Sequence, residues 1–597
     1  MKQERIRSEV EEQAKWNLKA MYQNEEAVNK DIEQLKQYHK DLLSFKGKIM
    51  ESNETLKKFY QVYINYDKVL SNLYTYSHML CDEDTTDSNH QAFKMKIDKL
   101  VEDLGAELSF ISPEMMATSY DEVLKMIEQD TSLKEYQFDL EKSFRYQDHV
   151  LSTREEELIA KASNAMGTGD EVFYNLDNSD IHLRPIHDEQ GNLVELNNSN
   201  YNKYMNSKNR EVRKEAFDSM YEYWKNLKNT VAATYKGQIK EDFFSSEMRK
   251  FDSPLKESLY SDNIDISVYE CLIQTVHKNL DKMYQYVDLR KQILGVDELH
   301  MYDVYVDLCE EEAKPIPFEE GKQIVFDALK PLGETYLKDL NKAFEERWID
   351  IYPNTGKKSG AYSWGTYDSY PYLLLNYNDT VDSVSTMAHE LGHSMHSYYS
   401  NQNQEYLYHN YPIFLAEIAS TVNEILLNDY LYKNAQSKSE KMLYLNEFLD
   451  KIKGTLYRQT MFAEFEMKIH DKYQAGIPLT EEEFSNTYYE LNKLYFGPNM
   501  ISDEEIRYEW ERIPHFYTSF YVYKYATGIS AAIAFASDIL NHVDGAVDRY
   551  LTFLKSGGSN YPLEILKNCG VDMTSEESIQ KALDMFEQKL QELKKLI

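Results

Sequence analysis

Apolar residues recur at three- and four-residue spacing along most of the chain, which is the pattern of amphipathic helices. From residue 10 to about residue 105, this spacing runs through long charged segments with almost no glycine. Similar patterns cover residues 113–140, 145–163 and 207–349, and they return after residue 400. Apolar stripes of this kind normally pack helix against helix. The pattern therefore predicts a mostly α-helical protein.

Two stretches interrupt the helical pattern. The first begins at residues 164–170 and continues with two short apolar runs, 181–186 and 193–196, on either side of a Gly/Asn turn. Two such runs around a turn predict a β-hairpin. We place a domain boundary near residue 200, which gives a helical N-terminal domain over 1–200 and a second domain over 201–597.

The second interruption, residues 352–377, is rich in turn residues and glycine. It ends in a short apolar run, residues 372–377, so it predicts a loop followed by a strand. A largely apolar helix is predicted directly afterwards, over residues 381–400. The expected fold is thus mostly α, with a small β element beside this helix.

Composition narrows the class of protein. A chain of 597 residues with 42% apolar and 13% aromatic residues can bury a large core, which excludes global disorder. Lysine and arginine total 66 against 101 acidic residues, a formal net charge of −35. A surface of this sign repels phosphate, and we find no strong basic patch, so we expect no nucleic-acid partner.

The cysteines and the apolar runs indicate the compartment. The four cysteines lie far apart and form no CxxC pair: Cys81, Cys271, Cys309 and Cys569. They favour a reducing cytosol over a disulfide framework. The N-terminal segment is charged throughout, unlike a signal peptide, and the most apolar run, residues 529–536, is too short to span a bilayer. We expect a cytoplasmic protein without membrane contact, and the sequence does not determine its oligomeric state.

The predicted helix at residues 381–400 contains an HExxH motif, His389-Glu-Leu-Gly-His393. Residues four apart share one helical face, so the two imidazoles can bind one metal ion. Glu390 can then act as a general base toward water at a zinc ion. The alternative is an amphipathic helix with two surface histidines. The flanking positions are mostly apolar, however, and burying these three side chains without a partner is costly. The motif therefore indicates one zinc ion per chain.

A catalytic zinc ion takes three protein ligands and keeps one position open. Glu417 is the candidate third ligand, since it lies 24 residues after His393 in an apolar helical segment, enough for a turn and a returning helix. Glu424 lies two turns further on the same face, and it is predicted either to orient a ligand histidine or to be a surface acid. His396 is predicted to lie behind the ligands, orienting them or simply packed, and not to bind the metal.

The motifs together are specific. The stretch HELGHSMHSYYS, followed by FLAEIAST, is similar to the thimet oligopeptidase/neurolysin group of zinc metallopeptidases. The bacterial oligoendopeptidase F family is more similar still. The further stretches that resemble it are GAYSWGTYDSYPYLLLNY before the motif, IPHFYTSFYVYKYATG at 513–528 and KSGGSNYPLEILKNCGVDMTS at 555–575. The resemblance covers roughly the whole chain.

The resemblance implies a large helical ellipsoid with a deep central channel, zinc at its bottom, and short peptides cut at internal bonds. The N-terminal domain is expected to wall the channel. The resemblance assigns the metal ligands to His389, His393 and Glu417, and the general base to Glu390. It also implies a histidine and tyrosines that stabilise the oxyanion. His515 and Tyr523 match that role best, with Tyr521 next as a residue that contacts substrate.

The predicted strand before the zinc helix, which contains Tyr372, is expected to be an edge strand that pairs with the backbone of an extended peptide. Gly360 would permit close approach of that backbone, or it serves only a turn. Two glycine pairs, Gly557–Gly558 and Gly167 with Gly169, are predicted hinges that admit substrate.

We therefore predict a zinc-dependent endopeptidase that acts on short oligopeptides. Three alternatives remain open: another zinc hydrolase such as a deacylase, an inactive peptide-binding protein with a vestigial zinc site, and a purely structural zinc. The intact Glu390 argues against the second alternative. The lack of a fourth protein ligand argues against the third.

Overall fold

The computed structural model describes residues 5–308 and 314–597, so Cys309 lies outside the described part. About 70% of the chain is helix and 3% is strand, which confirms the mostly α prediction. The helices, in chain order, are α1 (Glu25–Leu43), α2 (Asn53–Glu83), α3 (Ser88–Glu107), α4 (Ile111–Met115), α5 (Tyr120–Gln129), α6 (Gln137–Arg145), α7 (Thr153–Met166), α8 (Thr168–Asn178), α9 (Asn198–Met205), α10 (Arg210–Met248), α11 (Pro254–Tyr260), α12 (Ile266–Lys278), α13 (Leu280–Leu294), α14 (Phe318–Ala328), α15 (Glu334–Glu345), α16 (Val381–Asn403), α17 (Ile413–Asn434), α18 (Lys438–Ile452), α19 (Arg458–Gln474), α20 (Glu481–Phe496), α21 (Tyr523–Leu540), α22 (Ala546–Ser556), α23 (Pro562–Asn568) and α24 (Glu577–Lys594).

Short strands form three small sheets among the described residues. The predicted hairpin is confirmed, because β1 and β2 pair antiparallel, and β3 and β7 form a parallel pair. The third sheet has the order β4-β6-β5, with β4 parallel and β5 antiparallel to the central strand. The strands are β1 (Ile186–His187), β2 (Leu193–Val194), β3 (Leu299–His300), β4 (Ile349–Asp350), β5 (Tyr362–Trp364), β6 (Tyr372–Leu374) and β7 (Met500–Ile501).

The chain packs into two compact units. The first comprises the described parts of Met1–Asp148, Ala313–Tyr430 and Asp538–Gly570. The second comprises the described parts of His149–Glu312, Leu431–Ser537 and Val571–Ile597. Each unit draws on three separate stretches of chain, so this division does not fall near residue 200.

In the first unit, α1 to α6 pack around a core of fully buried apolar side chains such as Leu35, Leu73 and Ile97. The helical pattern expected from residue 10 begins only at α1, because the preceding residues form short 3-10 turns. That segment is bound to the three-stranded sheet instead. Arg7 donates from Nη1 to Asp350 Oδ1 at 2.8 Å, and Asp350 is completely buried.

The three-stranded sheet lies beside α16 in the first unit. Its central strand β6 is fully buried. The outer strand β5 contacts α16 through the hydroxyl groups of Ser363 and Ser394, which are 2.8 Å apart. The small β element expected beside the motif helix is therefore present.

The second unit is organised around α10, a helix of 39 residues whose buried face packs on α8 and on the 3-10 segment Glu504–Arg512. That segment continues through the turn Pro514–Tyr517 into α21. It thus carries the aromatic stretch that the sequence analysis singled out. Among the described residues, no helix is long and apolar enough to cross a bilayer.

Candidate active site

The HExxH motif lies in the middle of α16. The helix begins after Thr380, whose hydroxyl accepts from the backbone N–H of Ser383 and so caps the first turn. Its apolar residues Met387 and Leu391 are completely buried, which fixes the rotation of the helix against the core. The motif's histidines consequently face away from the core side and remain partly exposed.

The returning helix α17 approaches α16 very closely at Gly392. A Cβ atom at that position would lie 2.6 Å from Ser420 Cα and 2.7 Å from the carbonyl oxygen of Ala419. Asn423 also ties the helices together, since its Nδ2 donates to the carbonyl oxygen of Ala388 at 3.0 Å. Gly392, the fourth residue of the motif, is thus needed for this close approach, and the sequence analysis did not identify it. The sequence signal for this position was a glycine inside a segment that otherwise favours a helix.

Replacing Gly392 with alanine is expected to push α17 away from the two histidines, because the obstructing atoms belong to the backbone. We expect a loss of about 1–3 kcal/mol in the free energy of unfolding and weaker metal binding, measured by denaturation and by metal titration. Gly237→Ala in α10 is the matched control, since a Cβ there would meet nothing within 4 Å. An unchanged metal affinity in Gly392→Ala would contradict this role.

The close approach brings together three side chains that could hold a metal ion. His389 Nε2 and His393 Nε2 are 3.1 Å apart, and Glu417 Oε2 lies 3.4 Å from the first and 3.5 Å from the second. Bonds of roughly 2.0–2.1 Å in tetrahedral geometry place ligand atoms about 3.3 Å apart. The side chains therefore fit one zinc ion. No other group of three such residues close enough to hold a metal is found in the described part of the chain.

Two further residues contact the side chains of this group. Glu424 Oε1 lies 3.3 Å from His389 Nδ1, the nitrogen that faces away from the other ligands. Ser420 donates its hydroxyl to Glu417 Oε2 at 3.2 Å. Contacts of this kind fix the tautomer of a ligand histidine and the orientation of a ligand carboxylate. Ser420 was not identified from the sequence.

The electrostatics of the cluster favour a bound cation. Burial opposes the charged form of His389, but its contacts with Glu417 and Glu424 outweigh this effect and raise its pKa. Burial acts to raise the pKa of Glu417, and the two histidines overcome it and lower that pKa. Two carboxylates thus stabilise positive charge at the histidines, which a divalent metal would supply in place of protons.

Glu390 lies on the buried side of the motif and is only 7% exposed. Burial raises the pKa of its carboxyl group, against the opposing effect of His393 and His389. A carboxylate with a raised pKa is a better proton acceptor than one in water. Its environment suits the general base expected at this position.

His396 is completely buried behind the ligands. Its ring stacks on Tyr411 with the centroids 3.7 Å apart, and it lies 4.9 Å from the ring of Phe553. Burial lowers the pKa of His396 to about 3, so the ring is neutral. These contacts favour the packed alternative, in which His396 supports α16 from behind.

The expectation of an edge strand at Tyr372 is wrong. Tyr372 lies in β6, which is paired on both sides, and its buried hydroxyl donates to the carbonyl oxygen of Asn17 at 2.9 Å. The sequence analysis could not identify the edge, because β5 arises from the stretch that it assigned to a loop. The strand on the outside of the sheet beside α16 is β5.

Gly360 lies two residues before β5 and has φ of +82°, a left-handed conformation that glycine adopts without strain. Its carbonyl oxygen accepts from Asn376 Nδ2 at 2.8 Å. A Cβ there would meet nothing within 4 Å, and the residue lines a cavity of about 240 Å³ together with Thr386 of α16. The turn itself therefore requires this glycine.

His515 lies in the second unit, in the aromatic segment before α21. Its Nε2 is 3.3 Å from the hydroxyl of Tyr525, and its ring lies nearly parallel to that of Tyr521. Tyr523 is completely buried and packs against Tyr269 at 5.2 Å between ring centroids. The assignment of Tyr523 as a donor to substrate is therefore wrong. Tyr525, which sequence reasoning missed, is four residues from Tyr521, and its hydroxyl is the tyrosine hydroxyl that contacts His515.

The glycines of the hinge predicted at Gly557–Gly558 are closely packed in this structure. Both glycines are buried, and a Cβ on Gly557 would lie 2.3 Å from the carbonyl oxygen of Tyr408. Gly558 N donates to the same oxygen at 2.8 Å. Gly169, of the other predicted hinge, similarly lies close to the carbonyl oxygen of Thr234. Close packing by itself accounts for glycine at Gly557, Gly558 and Gly169.

A helix with an HExxH motif, in which two histidines can bind zinc and the glutamate can act as general base, is the signature of a class of metallopeptidases. The comparisons with known proteins give the family. The model for peptidase family M3 matches residues 203–585, and the model for oligopeptidase F matches residues 114–182. The chain belongs to peptidase family M3 and is a metalloendopeptidase of the oligopeptidase F type.

Individual relatives agree with this assignment over nearly the full chain. Oligopeptidase PepF of Bacillus subtilis is 43% identical, covering 99% of this chain and 88% of the relative. Group B oligopeptidase PepB of Streptococcus agalactiae is 38% identical, covering 99% and 98%. The solved structure of oligoendopeptidase-F from Enterococcus faecium is 34% identical and superposes with a TM-score of 0.73, covering 95% of this chain and 98% of that one.

Proposed function

We propose that this metalloendopeptidase uses one zinc ion, held by His389, His393 and Glu417, to hydrolyse internal bonds of short oligopeptides. The observation that carries the proposal is the triangle of ligand atoms, 3.1–3.5 Å on each side, with Glu390 beside it. The names of the relatives, which are oligopeptidases, support the substrate class. Three described cysteines are free thiols, in line with a cytoplasmic location.

The roles of the side chains follow from their contacts. A bound zinc ion would polarise the scissile carbonyl and lower the pKa of a water molecule from about 16 to roughly 7. Glu424 holds His389 so that Nε2 presents its lone pair to the ligand triangle. Glu390 takes the proton of the attacking water and returns it to the leaving amine. A structural zinc would not require a base at that position.

We propose that β5, and not β6, holds the peptide backbone. The described residues leave one edge of β5 unpaired, and the strand lies against α16 through Ser363 and Ser394. An extended peptide added to that edge would bind through main-chain hydrogen bonds, with little demand on its sequence. His515, assisted by Tyr525 and Tyr521, is the proposed donor to the oxyanion that develops on the carbonyl.

A metal assay run beside a peptide digest tests the function. The purified chain is expected to hold one zinc ion and to cut unmodified peptides at internal bonds, read by mass spectrometry. Cleavage of acyl groups without cleavage of peptides would favour a deacylase. Zinc without turnover on a broad peptide mixture would favour an inactive peptide-binding protein.

Substrate length is expected to limit activity, because the family resemblance implies an enclosed channel that admits one extended chain. Peptides of roughly 5–20 residues, at about 3.3 Å per residue, should be cut, and folded proteins should not. The measurement is a length series that extends one cleavable core stepwise, with intact casein as a long, loosely folded substrate. Glu390→Gln serves as the control for contaminating proteases. Efficient cleavage of intact casein would contradict an enclosed channel.

A further inference from the structure

The segment between His515 and α21 contains a strained residue. Phe520 has φ of +60°, in the left-handed region that is unfavourable for a bulky side chain. Such a conformation persists only where the surroundings hold it in place. Phe520 directly precedes Tyr521, so whatever holds it also sets the direction in which the chain reaches Tyr521.

A buried acid on α19 holds this residue. The backbone N–H of Phe520 donates to Glu466 Oε1 at 2.9 Å, and Glu466 is completely buried. Burial raises the pKa of Glu466 well above its usual range, and the nearby Asp242 adds to the effect. The hydrogen bond from Phe520 acts against this rise. An oxygen of the carboxyl group can accept that hydrogen bond in either protonation state.

A second acid holds the preceding residue from another helix. Ser519 donates its hydroxyl to Asp242 Oδ2, on α10, at 2.6 Å. The same oxygen lies 3.0 Å from His470 Nε2, and the His470 ring lies 4.5 Å from that of Phe520. Two successive residues of the segment are thus bound to acids on two different helices.

Ser519 and Phe520 are linked through the backbone to His515 and Tyr521. Thr518 N donates to the carbonyl oxygen of His515 at 2.9 Å, and Tyr521 N donates to that of Thr518 at 3.3 Å. A shift at Phe520 therefore moves Tyr521 directly and His515 through this short chain of hydrogen bonds. A displacement of about 1 Å at a catalytic group can cost as much as 100-fold in rate.

We propose that Glu466 is a positioning residue, which sets the geometry of His515 and Tyr521 by holding Phe520 in its left-handed conformation. The proposal rests on the proposed role of His515 in hydrolysis. Glu466 touches no reacting atom; it acts through one backbone hydrogen bond. The requirement is for a hydrogen-bond acceptor at the position of Oε1, so glutamine should replace Glu466 and leucine should not.

The test compares Glu466→Gln and Glu466→Leu with the parent, all loaded with zinc and assayed on one short fluorogenic peptide. In Glu466→Leu, kcat should fall roughly 10–100-fold with a much smaller change in KM. Glu466→Gln should stay within about threefold of the parent, since it keeps the acceptor. Hydrogen exchange over residues 513–522 should speed up in Glu466→Leu only.

Tyr495→Phe is the matched control for general destabilisation. The Tyr495 hydroxyl donates to Glu464 Oε2 at 2.8 Å, so this change removes a buried hydrogen bond to the same helix without touching the segment. Its kcat should stay within about threefold of the parent. If Glu466→Leu does not fold, Ser519→Ala is the alternative variant. It removes the hydrogen bond from the half-buried Ser519 to Asp242, and it should also lower kcat, but by a smaller factor than Glu466→Leu.

Three results would overturn the proposal: equal losses in the glutamine and leucine variants, a leucine variant no worse than Tyr495→Phe, or faster exchange with kcat unchanged. The last result would also argue against His515 as a catalytic group. If the metal-loaded parent cuts no peptide, the proposed function fails by itself. The exchange comparison still decides whether Glu466 holds the segment, so the two failures are distinguishable.

Discussion

Glu390→Gln is expected to abolish peptide hydrolysis while the metal site and the fold remain intact. Glutamine has nearly the same shape as glutamate, but it can neither accept the proton of the attacking water nor return it to the leaving amine. Both proton transfers fail together, so kcat should fall by at least about 1000-fold. The measurement is steady-state kinetics on a short peptide, beside elemental analysis of the same preparation.

The structure explains why the metal should stay. The proposed metal ligands are His389, His393 and Glu417, and Glu390 belongs to none of their mutual contacts. Glu345→Gln, at an exposed carboxylate at the end of α15, is the matched control and should keep full activity. Substantial turnover in a Glu390→Gln enzyme that is fully loaded with metal would contradict the proposed mechanism.

Glu417→Ala is expected to weaken zinc binding more than any change outside the ligand triangle. It leaves two protein ligands where a catalytic site needs three. Glu424→Ala, which removes only the partner of His389 Nδ1, should weaken binding by roughly 10–100-fold. The loss of zinc affinity in Glu417→Ala should be larger than this range. Competition with a chelator of known affinity, at fixed pH, measures both variants.

The two glutamates lie on the same helix two turns apart, so each is a control for the other. If Glu417→Ala binds zinc like the parent, the third ligand is a different residue. If Glu424→Ala loses as much affinity as Glu417→Ala, the Glu424 carboxylate binds the metal directly. Ser420→Ala should have the smallest effect of the three, since Ser420 only orients Glu417 Oε2.

The sequence by itself determined the features that depend on short separations along the chain. The spacing of His389 and His393 places them on one helical face, whatever the rest of the fold does. The hairpin at residues 186–194 likewise followed from a turn between two apolar runs. Glu417 was identified because a turn and a returning helix bring back a residue at that distance, and the structure contains that helix.

Features that depend on distant parts of the chain were decided only by the tertiary structure. Strand β6 is central because β4, which comes earlier in the chain, occupies its second edge, and no pattern within the strand encodes that pairing. The choice between Tyr523 and Tyr525 depends on which side of α21 faces Tyr269. Gly392 and Gly557 are required by backbone atoms of other segments. The identity of a residue reports its chemistry, but its neighbours across the fold decide whether that chemistry is buried, paired or available.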